Sequence, residues 1–158
     1  MLKAAIVVLA FAALATPVLE VRPQSGLDFT LQNSPTPQKY LIETMPGGVA
    51  LLDYNNDGLL DIFFVNGGRV TSPMLTPENF DRSNPVYWNR LYRQNKDGSF
   101  TDVTKEAGLA NAGDGNYGMG VAVGDYDNDG YPDLYITNYG KNILYHNNGN
   151  GTLSLIHI

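Results

Sequence analysis

Two nine-residue stretches of the chain repeat one pattern of oxygen-bearing side chains. The first is Asp53-Tyr-Asn55-Asn-Asp57-Gly58-Leu-Leu-Asp61, and the second is Asp125-Tyr-Asp127-Asn-Asp129-Gly130-Tyr-Pro-Asp133. Side-chain oxygens stand at positions 1, 3, 5 and 9 of each, with glycine at position 6. The backbone carbonyl of the seventh residue, Leu59 or Tyr131, would add a further donor. A hard cation such as Ca2+ takes about six to eight oxygens at about 2.3–2.6 Å from a compact, turning loop. Glycine suits the reversal because it reaches positive φ at no steric cost. Two Ca2+ sites are therefore expected, one at Asp53, Asn55, Asp57, Leu59 and Asp61, the other at Asp125, Asp127, Asp129, Tyr131 and Asp133. Without metal the loops would be Asx-turns capping tight hairpins, with carboxylates repelling one another unopposed. The second loop carries four carboxylates against three in the first. It is expected to bind more tightly, because ligand charge tunes affinity.

These loops account for much of the chain's charge. Seven of its 16 acidic residues lie in them, so the net charge of −6 is concentrated rather than spread. No basic run points to nucleic acid. The absence of cysteine removes a disulfide framework, a thiolate metal site and a cysteine nucleophile. Outside the loops no His, Arg or carboxylate grouping has catalytic spacing, so no catalytic residue is assigned and a non-enzymatic role is expected. His146 and His157 read as incidental. Gly113–Gly120 lacks the Lys-Ser/Thr of a phosphate loop and reads as a connection before a strand. Asn150-Gly-Thr152 is a glycosylation sequon, relevant only in a eukaryotic host.

The first residues form a different kind of segment. Lys3 precedes an apolar run from Ala4 to Leu14, and Ala13-Leu14-Ala15 offers a small-x-small cleavage pattern. The run is short of the roughly 20 residues that span a bilayer. Residues 1–15 are thus expected to be a signal peptide cut after Ala15, giving a secreted, extracellular or periplasmic protein with no membrane span after cleavage.

The remainder, 16–158, repeats. Gly48-Val-Ala-Leu-Leu-Asp53 matches Gly120-Val-Ala-Val-Gly-Asp125 at an offset of 72 residues. Asn89–Phe100 matches Asn142–Leu153 at an offset of 53. The difference places an insertion at about 66–88, a stretch rich in Pro, Asn and Ser. Self-similarity at such a period indicates a propeller or solenoid. Val49–Leu52 and Val121–Val123 read as strands entering the loops, Leu60–Val65 and Asp133–Thr137 as strands leaving them. Asn89–Arg93 and Asn142–Tyr145 follow, then Asn/Asp-Gly hairpin turns at Asn95–Gly98 and Asn148–Gly151. Phe100–Val103 closes the first unit, and one helical turn is expected at Thr104–Ala107, ended by Gly108. Strand flanks and the lack of a glutamate at loop position 12 exclude a helical calcium loop. The expected fold is all-β, built of four-stranded antiparallel propeller blades. Tyr92 and Tyr145 are expected to pack between blades, and Tyr87 and Trp88 end the insertion as candidate contact aromatics.

Gly-Val-Ala-x-x-Asp-Tyr-(Asn/Asp)-Asn-Asp-Gly-x-x-Asp, followed by Asn-x-Leu-Tyr and Asp97-Gly98-Ser-Phe100-Thr-Asp-Val103, resembles the FG-GAP (VCBS-type) repeats of integrin α subunits and many secreted bacterial proteins. Ser25–Phe29 and Tyr40–Thr44 are similar to the lead-in of secreted proteins related to cartilage acidic protein, which usually carry a following ASPIC-type domain. The resemblance covers about Ser25 to Leu153. It implies a roughly seven-bladed propeller with Ca2+ in some blades, serving extracellular protein or glycan binding and adhesion. Two to three units fall short of the four to eight blades that close a ring. Leu153–Ile158 also departs from the Phe100–Val103 pattern, so the chain reads as the N-terminal fragment of a longer protein. The alternative is the propeller portion of an exported carbohydrate-active enzyme with its catalytic residues elsewhere.

Overall fold

A computed structural model of the chain describes residues 25–70, 80–110 and 116–157. The expected signal peptide lies outside the described residues, as do parts of the insertion and of Gly113–Gly120. Eight strands form two separate four-stranded antiparallel sheets with consecutive strand order. The first contains β1 (Gly48–Leu52), β2 (Asp61–Val65), β3 (Arg90–Gln94) and β4 (Phe100–Asp102). The second contains β5 (Tyr117–Gly124), β6 (Asp133–Tyr139), β7 (Ile143–Asn147) and β8 (Leu153–His157). These are the two expected propeller blades.

Each blade follows from local sequence. In β2 the Asp-Ile-Phe-Phe-Val run alternates between faces, with Asp61, Phe63 and Val65 fully buried and Ile62 and Phe64 half-buried. The β3–β4 turn closes through Asn95 N–H to the Ser99 carbonyl at 2.7 Å, with Gly98 at φ +80°. The β7–β8 turn repeats this through Asn148 N–H to the Thr152 carbonyl at 3.0 Å, with Gly151 at φ +82°. Leu153–His157, which departs from the repeat in sequence, still pairs with β7 along its length. Strand pairing there needs only extended backbone and an apolar Leu153 facing the core.

The blades stack face to face. Ala50, Leu52, Phe63, Val65 and Leu91 of the first blade share one core with Leu134, Ile136, Ile143 and Tyr145 of the second. The connecting turn carries Ala107 and Leu109 into this core. It closes through Ala107 N–H to the Val103 carbonyl at 2.8 Å, and Gly108 follows at φ +79°. Residues 104–108 thus form a hydrogen-bonded turn, short of a helix.

The glycine-rich stretch corrects one expectation. Tyr117–Gly120 is not a connection but the first half of β5, with a bulge between Gly118 and Gly120. The two inner strands meet here: Gly47 N–H donates to the Gly118 carbonyl at 3.1 Å. A Cβ on Gly118 would sit 2.3 Å from Val65 Cγ1 and 2.5 Å from the Asn66 carbonyl oxygen. Glycine is needed because two backbones approach more closely than side chains permit.

The N-terminal segment crosses the opposite face of the first blade. The Ser25 carbonyl accepts from Phe100 N–H at 2.7 Å, and Phe29 stacks on Phe64 with ring centroids 4.6 Å apart. Tyr92 is buried and donates its hydroxyl to Asp28. Leu41–Thr44 is a 3-10 turn whose Glu43 carboxylate accepts from Thr36 and from Tyr40 N–H, the latter at 3.1 Å. Asn66, at the start of the insertion, is buried and ties its base together. Its amide donates to the Val86 and Trp88 carbonyls, and its oxygen accepts from Gln32 N–H at 2.8 Å.

Candidate metal centre

The loops joining β1 to β2 and β5 to β6 have the same hydrogen-bond skeleton. In the first, Asp53 accepts from Asp57 N–H at 3.0 Å and Gly58 N–H at 2.8 Å. In the second, Asp125 accepts from Asp129 N–H at 3.1 Å and Gly130 N–H at 2.9 Å. Asp57 and Asp129 each accept from the N–H two residues on, at Leu59 and Tyr131, both at 2.9 Å. The fourth residue enters the left-handed region in both loops, Asn56 at φ +55° and Asn128 at +59°. Asparagine tolerates that region better than most residues. Gly58 and Gly130 follow at φ +85° and +90°.

The ninth position anchors each loop to its sheet. Asp61 is fully buried and accepts from Tyr54 N–H at 3.0 Å and, across the blade, from Gln94 N–H at 2.8 Å. Asp133 accepts from Tyr126 N–H at 3.0 Å and Asn147 N–H at 2.7 Å. Gln94 and Asn147 are repeat-equivalent. Each carboxylate oxygen therefore has one protein donor and keeps a lone pair toward the loop interior.

Electrostatics mark the first loop as short of positive charge. Burial pushes the Asp61 carboxyl above its ordinary range, against the lowering effect of the Gln94 and Tyr54 N–H groups, and the charges of Asp57 and Asp53 push it further up. Asp57 is held low, first by the Asn55 amide and then by Leu59 N–H. That amide donates to Asp57 at 2.9 Å, while the Asn55 Oδ1 is enclosed without a hydrogen-bond partner. In the second loop, ligand atoms of Asp125, Asp127 and Asp133 lie within 4.8 Å of one another. An enclosed acceptor without a donor, and carboxylate oxygens converging on one point, are the donor set a hard cation takes.

The two loops are neighbours. Asn56 Nδ2 reaches the Gly130 carbonyl at 3.3 Å, and buried Asn147 donates its amide to the Tyr54 carbonyl at 2.8 Å. All eight side chains expected as ligands thus lie in two adjacent loops at one edge of the blade pair. His146, which read as incidental, does not stand apart: its Nδ1 is 3.4 Å from Asp127 Oδ2 and 3.3 Å from Asp133 Oδ1. The usable signal was its repeat equivalence to Arg93, the other cation-forming residue at that strand position. Tyr145 is buried between the blades and Tyr92 under the N-terminal segment, as packing residues. Trp88 donates its indole N–H to the Arg82 carbonyl at 2.9 Å and is half-buried.

With the blades and loops in place, comparison with known proteins becomes decisive. A model of the FG-GAP-like repeat matches residues 53–136 and again 125–158. The chain belongs to the FG-GAP-like repeat family. Each FG-GAP-like match opens on the first aspartate of one of the two loops, so the loops and the strands behind them carry the family likeness. Integrin alpha-6 of Gallus gallus and of Homo sapiens are each 33% identical over 108 residues, 65% of this chain. The chain spans only 9% of the length of these relatives.

Proposed function

We propose that this chain is a secreted, calcium-binding propeller module that presents its blades to an extracellular protein or glycan, with calcium in a structural role. Asp53, Asn55, Asp57, Asp61 and the Leu59 carbonyl would hold one ion. Asp125, Asp127, Asp129, Asp133 and the Tyr131 carbonyl would hold the other. The observation that carries the reading is the enclosed Asn55 Oδ1 without a donor, beside carboxylates that burial and mutual repulsion disfavour. A bound dication would supply the missing positive charge and reverse that penalty. The cage does not exist in the unfolded chain, so binding free energy becomes folding free energy. Similarity to integrin alpha-6 supports the extracellular setting and a partner-binding role. No helix among the described residues is long and apolar enough to cross a membrane.

Thermal unfolding in calcium and in chelator tests the role. Ca2+ at about 100 times its dissociation constant would stabilise each site by about 2.7 kcal/mol, so chelation should lower the midpoint by several degrees. An unchanged midpoint would remove calcium from the account.

A further inference from the structure

The two loops face different side chains on the third strand of their blades. Arg93 and His146 are repeat-equivalent, 53 residues apart. Arg93 acts on Asp57 through charge alone, because a guanidinium has no lone pair to offer a metal. A neutral imidazole has one. His146 Nδ1 is enclosed, forms no hydrogen bond, and faces carboxylate oxygens of Asp127 and Asp133 at 3.4 and 3.3 Å. Its ligand atom and those of Asp127 and Asp129 lie within 4.8 Å of one another. The Tyr126 ring meets the imidazole edge-on, with centroids 5.9 Å apart, and orients it from the loop side. Lone pairs of nitrogen and carboxylate facing one another repel unless a proton or a cation stands between them. Ligands held about 2.0–2.2 Å from a tetrahedral Zn2+ stand about 3.3–3.6 Å apart, which is the spacing seen.

We propose that the second loop is a mixed oxygen–nitrogen site, with His146 Nδ1 joining its aspartates to favour a borderline transition dication of the Zn2+ class. The first loop has oxygen donors only and stays a hard-cation site. The physical basis is ligand softness: imidazole suits Zn2+, whereas Ca2+ takes oxygen. The proposal rests on the loops being metal sites, the reading given above.

Calorimetric titration of the full chain with Zn2+ and separately with Ca2+ tests it, using the unaltered protein, His146→Gln and His146→Arg. One Zn2+ equivalent is expected in the unaltered chain. Both variants should weaken it by at least about tenfold, the scale on which even indirect contacts to a metal act, and leave Ca2+ at the first loop unchanged. Zn2+ affinity within twofold of the original in His146→Arg would overturn the proposal, since His146 would then be a counter-ion only. Absence of Zn2+ binding would overturn it too. An imidazole nitrogen NMR shift of His146 on adding Zn2+ to the unaltered chain supports ligation without any variant, and its absence in the Zn2+-loaded chain counts against it. Failure of Ca2+ to bind either loop, with the Zn2+ and His146 results as expected, would sink the calcium reading and leave this one standing.

Discussion

The ninth-position aspartates do two things at once. Asp61 and Asp133 link loop to sheet through backbone N–H groups on two different strands, and they keep lone pairs for a cation. Their burial explains why they differ from the exposed aspartates at the fifth position, which only turn the loop. Asp61→Ala would strand the N–H groups of Tyr54 and Gln94 away from water. Each unpaired buried donor costs about 1–3 kcal/mol, so urea unfolding in chelator should show a loss of at least about 2 kcal/mol even without metal. Asp57→Ala, at an exposed position, should change chelated stability far less and act through the cation. The ligand set was legible in the sequence because every donor lies within nine residues of chain. His146 was not, because the β6–β7 pairing, with Leu134 opposite Tyr145, brings it beside the loop. Proximity created by strand pairing leaves no mark on local spacing.

At the scale of elements, the inner strands set how closely blades approach. Gly118 lies against Val65 and Asn66 at distances no Cβ tolerates, and a Cβ on Gly48 would meet Gly120 Cα at 3.0 Å. Gly118→Ala should therefore force the inner strands apart and cost about 1–3 kcal/mol or more, as overpacking of a tight core does. Gly124→Ala provides the control, since its Cβ would meet nothing within 4 Å; urea midpoints of the two variants measure the difference. The strands leaving the loops were legible from their β-branched and aromatic density. The start of β5 was not, because glycines weaken a strand by propensity. Only the neighbouring backbone, unseen in one dimension, supplies the reason for them.

For the molecule as a whole, the blade faces are unequal. Ala50, Phe63 and Leu91, aligned across the first blade, are covered by the second. Their repeat-equivalents Ala122, Tyr135 and Leu144, aligned in the same way, line an open apolar depression of about 340 Å³ with Val123 and Tyr126. Leu91→Ala should cost about 2–5 kcal/mol, the range for a fully buried leucine. Leu144→Ala, half-buried on the open face, should cost clearly less. Parallel urea titrations check this, and equal losses would show that the second face is covered in solution. The blade fold was legible from the repeat, but which face lay covered was not, since both copies carry the same apolar positions.

The contact between the blades has a direction. One face of the first blade meets the opposite face of the second, so the joint is heterologous rather than two-fold. A heterologous joint repeated with a constant rotation generates a ring if the rotation closes and an open helix if it does not. The angle at which Gly47 and Gly118 lock the inner strands is the quantity that chooses between a closed disc and a filament.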